Sequence, residues 1–130
     1  MIRVEASIRL SRDVTIDSDK VKTGFRITMR VDNRGYTAQL FAMEGQYIPL
    51  DKDINIYIDI LYGELDIEKF INNTSFDFVS GKKQGEGRVL SIKEICIEKE
   101  AFKEVSEDRQ MEIMAIIKKS NLNLNSASSI

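Results

Sequence analysis

Two glycines among basic side chains are the residues of this chain best suited to bind an anion. Five residues make up this group: Lys82, Lys83, Gly85, Gly87 and Arg88. A phosphate-binding loop, however, requires a glycine-rich turn that leads into the N-terminus of a helix. Here the glycines lead into Val89-Leu90-Ser91-Ile92, whose composition predicts a strand. We therefore favour a β-bulge or close packing within a sheet as the reason for the two glycines.

Acidic residues with i, i+2 spacing are a second candidate for chemistry. They occur in two runs: Asp51 and Asp53, and then Glu64, Asp66 and Glu68. On a strand this spacing places the carboxylates on one face. Neither run has the glycine and the terminal glutamate of a calcium-binding loop. We interpret both runs as solvated turn and strand faces.

Nucleophilic catalysis lacks its usual partners in this sequence. The chain contains no histidine, and Cys96 is its only cysteine. These counts exclude a histidine-dependent triad, a His-ligated or Cys-rich metal site and an internal disulfide within this chain. Cys96 stands between Ile95 and Ile97, which is the setting of a buried, inert thiol. We expect no catalytic residue, no metal and no cofactor.

Length and composition indicate one globular domain without a strong positive charge. The chain has 130 residues, of which 42% are hydrophobic and 31% charged, a mixture that supports a packed core. The formal net charge is −2, which disfavours a strongly basic nucleic-acid-binding domain. The sequence shows neither an apolar signal segment nor an uncharged run of about 20 residues. We therefore expect a cytoplasmic protein that does not bind membranes.

Apolar and polar residues alternate through most of the chain before residue 98, and this pattern predicts strands. The predicted strands are 2–10, 25–31, 36–40, 54–61, a segment around Phe76 and Phe78, and 89–92, with a hairpin turn at 32–35 and a loop at 80–85. Short strands with frequent turns predict a small all-β antiparallel barrel over residues 1–97, because closure removes exposed sheet edges. The expected core residues are Val4, Ala6, Ile8, Phe25, Ile27, Met29, Ile56, Ile58, Phe76, Phe78 and Val89.

The C-terminal part changes to helical periodicity. Ser106 is placed to cap a helix near residues 106–119, whose apolar stripe consists of Met111, Ile113, Met114, Ile116 and Ile117. We expect the stripe to pack on the barrel of the same chain; docking onto a partner, or a homodimer through the helix, is the alternative. Residues 98–120 then form a helical extension, and the segment 121–130, rich in Asn and Ser, is expected to be flexible.

Four elements follow one another in a characteristic order along the first 92 residues. They are the alternating strand Ile2–Leu10; Gly24-Phe25-Arg26 before a strand; Ile48-Pro49-Leu50-Asp51 before a strand; and Phe76-Asp77-Phe78 followed by Ser80-Gly81-Lys82 and Gly85-Glu86-Gly87-Arg88-Val89. Together they resemble the C-terminal β-barrel domain of elongation factor Tu and related translational GTPases. The resemblance implies a barrel of that type. The C-terminal helix, which is predicted from its periodicity, is appended to this barrel and has no counterpart in the family domain.

Departures from the family pattern limit what the resemblance implies. Ile27 and Thr28 stand where the family has proline and glutamine. The segment Val31–Gly35 is a plain hairpin turn and lacks the family's acidic-valine-threonine-glycine pattern. No Gly-x-x-x-x-Gly-Lys-Ser/Thr phosphate loop occurs in the sequence. The resemblance therefore implies a barrel fold and does not imply GTP hydrolysis.

Two functional hypotheses remain. The first is a non-enzymatic protein-interaction or regulatory module that copies the barrel of elongation factor Tu. The second is a tRNA or structured-RNA binder, which the resemblance implies because the family's barrel helps to hold the T-stem of tRNA. The candidate RNA- or partner-binding residues are Arg26, Lys82, Lys83, Gly85, Gly87 and Arg88. The net charge of −2 favours the first hypothesis, since phosphate contacts depend on cations.

Overall fold

The computed structural model describes residues 1–15, 18–71 and 73–120, together with the backbone of Leu124–Asn125. The strands are β1 Ile2–Leu10, β2 Lys20–Lys22, β3 Phe25–Val31, β4 Arg34–Ala42, β5 Tyr47–Pro49, β6 Ile54–Ile60, β7 Ser75–Ser80, β8 Lys82–Cys96 and β9 Leu124–Asn125. The helices are α1 Lys99–Lys103 and α2 Glu107–Lys119. A 3₁₀ turn occurs at Arg12–Val14, and Gly63–Phe70, hereafter the 3₁₀ segment, consists of two short 3₁₀ turns with a kink at the non-helical Asp66.

Six antiparallel strands close into a barrel. Their order around the barrel is β1, β6, β4, β3, β7 and β8, and β8 pairs again with β1. Closure gives each of these strands a neighbour on both sides over at least part of its length. Few strand edges are therefore exposed, which is the reason for which closure was expected. The strands β2 and β5 form a separate two-stranded sheet. The predicted all-β antiparallel barrel is confirmed.

The interior of the barrel is filled by the inward-facing residue of each alternating pair. Every predicted core residue is buried except Phe25, which is half-buried because it begins β3 beside the turn at Gly24. The rings of Phe76 and Phe78 pack edge to face, with 5.2 Å between their centroids. The core therefore follows from the period-two pattern of the sequence.

The β3–β4 hairpin has the turn that its residue types predicted. Val31 pairs with Arg34, so only Asp32 and Asn33 lie in the turn. Their φ angles are 49° and 67°, a conformation that Asp and Asn tolerate better than most residues. The predicted loop at 80–85 is wrong, in contrast. Gly81 alone makes the connection at a φ of 77°, and β8 begins at Lys82.

The C-terminal helix lies where it was predicted and packs on its own chain. Ser106 caps α2 by accepting a hydrogen bond from the Arg109 N–H at 3.2 Å. Ile113 and Ile117 are buried, and α2 packs against the 3₁₀ segment, which was not predicted. Met111 and Met114, the other side of the predicted stripe, are exposed. The predicted flexible segment 121–130 lies outside the described residues, apart from the backbone of Leu124–Asn125.

A partly buried hydrogen bond from Tyr36 to Asp66 makes the stability of this fold sensitive to alkaline pH. The Tyr36 hydroxyl donates to Asp66 Oδ2 at 2.7 Å. Burial, and then the Asp66 carboxylate, raise the pKa of Tyr36 well above its ordinary value of 10.0. In the folded state Tyr36 therefore keeps its proton at a pH where the unfolded chain has lost it. The resulting stabilisation is complete below about pH 10 and declines above it.

We expect Tyr36→Phe to cost about 1 kcal/mol near neutral pH, because one hydrogen bond is lost. The stability advantage of the wild type over the variant should fall by about 1.4 kcal/mol for each pH unit above about 10, and should therefore change sign at about pH 11, because the variant has no proton to lose there. Urea unfolding of both proteins across this pH range measures the difference. A difference that stays constant with pH would contradict the proposed linkage.

Candidate functional site

The two glycines of the candidate anion site are packed against neighbouring strands. A Cβ atom at Gly87 would lie 2.6 Å from Phe76 Cζ and 2.7 Å from the Ser7 carbonyl oxygen. At Gly85 it would lie 2.8 Å from the Arg9 carbonyl oxygen. Both glycines pair with β1 on one side and β7 on the other, which commits their backbone polar groups to the sheet. Close packing is thus the physical reason for these glycines.

The basic residues of the candidate site do not converge on one point. Lys82 Nζ lies 3.5 Å from Asp13, and Lys83 Nζ lies 3.5 Å from both Asp77 and Glu86. These ion pairs are exposed and each contributes little to stability. The positive charges of Lys82 and Lys83 are nevertheless partly neutralised by the acidic residues beside them.

Two arginines of the candidate set, Arg26 and Arg88, are exposed and make no ion pair with any described residue. Arg88 lies in a groove of about 690 Å³ on the outer face of β1, β8 and β7, hereafter the charged groove. Arg26 lies in a second groove, of about 400 Å³, beside Phe25 and Gln84. The structure therefore divides the predicted binding residues between two surfaces.

The charged groove combines both signs of charge. Its charged lining consists of Arg9, Arg30, Arg88, Asp32, Asp53, Asp77 and Glu86. Three cations thus face four carboxylates, and Arg9 and Arg30 already pair with Asp53 at 3.5 Å and Asp77 at 3.3 Å. The phosphates of a nucleic acid in this groove would lie as close to carboxylates, which repel them, as to cations, which attract them. The lining therefore suits the mixed polar surface of a protein better than a nucleic acid.

The acidic run at Glu64, Asp66 and Glu68 is structural, and the interpretation of Glu64 as solvated is wrong. Glu64 is fully buried, and its carboxylate accepts from the α-ammonium group of Met1 and, at 2.9 Å, from the Glu98 N–H. This carboxylate thereby joins the start of β1, the 3₁₀ segment and the start of α1. Neighbouring sequence could not reveal the burial, because both partners are distant along the chain.

The other two carboxylates of that run anchor neighbouring elements. Asp66 accepts from Tyr36, and Glu68 accepts from the Arg109 guanidinium at 2.7 Å, which ties α2 to the 3₁₀ segment. The hydrogen bond with Glu68 raises the pKa of Arg109 above its ordinary value. Cys96 is half-buried rather than buried, and its N–H and carbonyl group both bond to Met1.

The end of β8 extends beyond its neighbour β7. The β7–β8 pairing ends at Arg88, and the last bond on that side runs from the Val89 N–H to the Thr74 carbonyl oxygen at 2.8 Å. Farther along, β9 pairs in parallel with Ile95 and Cys96. Between these two pairings lies the segment Leu90–Ile92, hereafter the edge segment. Within the described part of the chain, its only strand neighbour is β1.

A groove of about 200 Å³ lies beside the edge segment, and we call it the apolar groove because five of its seven lining residues are apolar. Its lining residues are Phe70, Ile71, Val89, Leu90, Ser91, Ile92 and Ser120. Leu90 is an extra residue in the β1–β8 ladder, because Ala6 pairs with Val89 and Glu5 with Ser91. The bulge at Leu90 leaves its side chain 41% exposed. The sequence did not indicate this groove, since its walls come from three separate parts of the chain.

The side chains that the structure describes provide no group of three or more His, Cys, Asp or Glu residues arranged to hold a metal ion. No helix in the described ranges is long and apolar enough to span a membrane. Comparison with known proteins adds no identification: no model of a protein family matches the chain, and no curated protein matches it.

Proposed function

We propose that this chain is a non-enzymatic protein-binding module, built on a barrel of the elongation factor Tu C-terminal type. The closed six-stranded antiparallel barrel supports this class of fold. The segments that carry the resemblance lie in or next to strands of this barrel. Gly24-Phe25-Arg26 leads into β3, Ile48–Asp51 precedes β6, and Gly85–Val89 lies within β8.

The observation that carries the proposal is the edge segment of β8 beside the apolar groove. An extended peptide can add to an open strand edge through main-chain hydrogen bonds, while a neighbouring pocket takes its side chains. The proposal is supported by the pairing of β9 with Ile95 and Cys96, which places a strand of the same chain on this side of β8 farther along. A groove of about 200 Å³ has room for one or two apolar side chains. The partner is therefore a protein that offers an extended segment with apolar residues at alternate positions.

RNA binding is the second candidate function. It is favoured by Arg26 and Arg88, which are exposed and make no ion pair with a residue that the structure describes. Against it, the two arginines lie in different grooves, and carboxylates outnumber cations in the groove of Arg88. Phosphate recognition needs a continuous positive surface. We therefore place RNA second and make it an outcome of the test.

The test is a pull-down from an extract of cells that make the protein, with protein and RNA in the eluate both identified. Wild type is compared with Leu90→Asp and with Leu61→Asp, a matched control at a leucine that is 46% exposed outside the groove. We expect one discrete protein to bind wild type and Leu61→Asp and to be lost with Leu90→Asp. A carboxylate at position 90 would lose water when an apolar side chain docks in the groove, and this cost opposes binding. Leu90 is exposed enough for the fold to tolerate the change.

Retention of the same protein by Leu90→Asp would contradict the proposed docking surface. An eluate dominated by tRNA or another structured RNA would contradict protein binding as the main function. Thermal unfolding of both variants serves as the folding control, since equal midpoints exclude a loss of binding through unfolding.

A further inference from the structure

Arg88 is the one charged residue lining the charged groove that has no ion-pair partner among the residues that the structure describes. Each carboxylate of this groove lies within 3.5 Å of a cation: Asp32 of Lys69, Asp53 of Arg9, Asp77 of Arg30 and Lys83, and Glu86 of Lys83. Arg9 and Arg30, the other arginines of the lining, thus belong to these pairs. The guanidinium group of Arg88 is left to bind a charge that comes from outside.

The side chain of Arg88 stands in a row of polar groups on the outer face of the barrel. Arg88 pairs with Ser7 of β1 on one side and with Ser75 of β7 on the other. Paired residues on adjacent strands place their side chains on the same face, with Cβ atoms about 4.5–5.5 Å apart. Both serines also line the charged groove. A carboxylate bound to the guanidinium group therefore has a hydroxyl donor on each side.

The acidic side chains of β7 and β8 stand in a different row from Arg88. Glu86 pairs with Asp77 and with Arg9, and this row lies two residues, or about 6.6 Å, from that of Arg88. The cations beside these carboxylates partly cancel their repulsion of an anion at Arg88. A nucleic acid would place further phosphates over the acidic row, whereas a single carboxylate at Arg88 would not. The charge pattern thus favours one acidic side chain of a protein.

Arg88 is also the last residue of β8 before the edge segment. The β7–β8 pairing ends at Arg88, and the edge segment begins two residues later at Leu90. A strand added to the edge segment would continue the line of β7, so its residue opposite Leu90 would be a diagonal neighbour of Arg88. Diagonal neighbours in a sheet lie about 7–8 Å apart, which is within reach of a long side chain. Arg88 is therefore placed to contact one end of a strand bound at this edge.

We propose that Arg88 selects the protein partner by binding one Asp or Glu side chain at the end of the partner's extended segment. This inference rests on the proposed function, because the same segment docks on the edge segment and the apolar groove. The planar guanidinium group donates two parallel hydrogen bonds to a carboxylate, a geometry that lysine does not provide. The partner segment thus combines an acidic residue at one end with apolar residues that enter the groove.

The test selects peptides from a displayed library of random heptapeptides on the full-length protein. We expect the sequences enriched on wild type to share one Asp or Glu beside apolar residues. Selection on Arg88→Glu should enrich Lys or Arg at that same position, because the charge that recognises it is reversed. The best wild-type peptide should bind Arg88→Gln at least about fivefold more weakly, since a charge-assisted pair of hydrogen bonds is lost.

Arg26→Gln is the matched control. Arg26 is also exposed and makes no ion pair in the described part of the chain, but it lies in the other groove. We expect this variant to bind the peptide as wild type does. Thermal unfolding of all variants serves as the folding control, and equal midpoints are expected because both arginines are exposed.

The outcomes separate this inference from the proposed function. Acidic peptides that bind Arg88→Gln as tightly as wild type, or enriched peptides without a shared acidic residue, would overturn the inference. The proposed docking edge would still stand if Leu90→Asp abolished their binding. Acidic peptides that need Arg88 but bind Leu90→Asp normally would support the role of Arg88 and refute the docking edge. Binding of tRNA that is lost in Arg88→Gln would assign the arginine to a phosphate and contradict the inference, and a selection that enriches no sequence would overturn both.

Discussion

Phe78→Ala is expected to destabilise the protein by about 3–5 kcal/mol, the largest effect of any substitution considered for this barrel. Phe78 is 0% exposed on β7 and packs edge to face on Phe76. It also faces Gly85 across the β7–β8 pair, so no nearby side chain can fill the space that the ring leaves. Urea unfolding at equilibrium gives the change in free energy.

Phe25→Ala is the matched control for this prediction. Phe25 was expected to be as buried as Phe78, but it lies half-buried at the start of β3. The same substitution there should cost distinctly less, because the lost ring already contacts water. Equal costs at the two positions, or a cost below about 1 kcal/mol at Phe78, would contradict the core described here.

Glu64→Gln should cost about 2–4 kcal/mol, although glutamine has nearly the same shape. The substitution removes the negative charge opposite the Met1 α-ammonium group, while the Glu98 N–H keeps an oxygen to donate to. Most of the loss therefore comes from a partly buried positive charge without its partner. The measurement requires protein without an N-terminal tag, since a tag would remove that ammonium group.

Glu68→Gln is the corresponding control in the same 3₁₀ segment. Glu68 pairs with Arg109, but the pair is accessible to water, so the same change should cost less than about 1 kcal/mol. If Glu64→Gln were no more destabilising than Glu68→Gln, the carboxylate of Glu64 would not be the junction that the structure describes.

Local signals account for the parts of the fold that the sequence predicted. Strand alternation in 2–10, 25–31 and 54–60 depends on neighbours two residues apart, and the barrel follows once each strand buries its apolar face. The Ser106 cap and the helix after it are local in the same way. Asp32 and Asn33 fit the hairpin turn because their own side chains tolerate positive φ.

The features that sequence reasoning missed all depend on contacts between distant residues. Burial of Glu64 requires Met1 and Glu98 at the same point. The apolar groove forms where Phe70, Leu90 and Ser120 come together, and no periodic pattern of residue types in the sequence predicts that they do. Arg26 and Arg88 lie in different grooves for a related reason. The positions of their strands in the barrel, and not their spacing along the chain, decide which cations share a surface.

The most direct test of the central claim is the affinity of the captured partner protein, measured from low to high salt for three proteins. Wild type is compared with Leu90→Asp, and with Lys82→Gln combined with Lys83→Gln. We expect wild-type affinity to change little with salt, to be lost in Leu90→Asp and to be retained in the lysine double variant, because apolar docking releases few counterions. Affinity for tRNA that falls steeply with salt and disappears in the lysine double variant, with no effect of Leu90→Asp, would contradict the account.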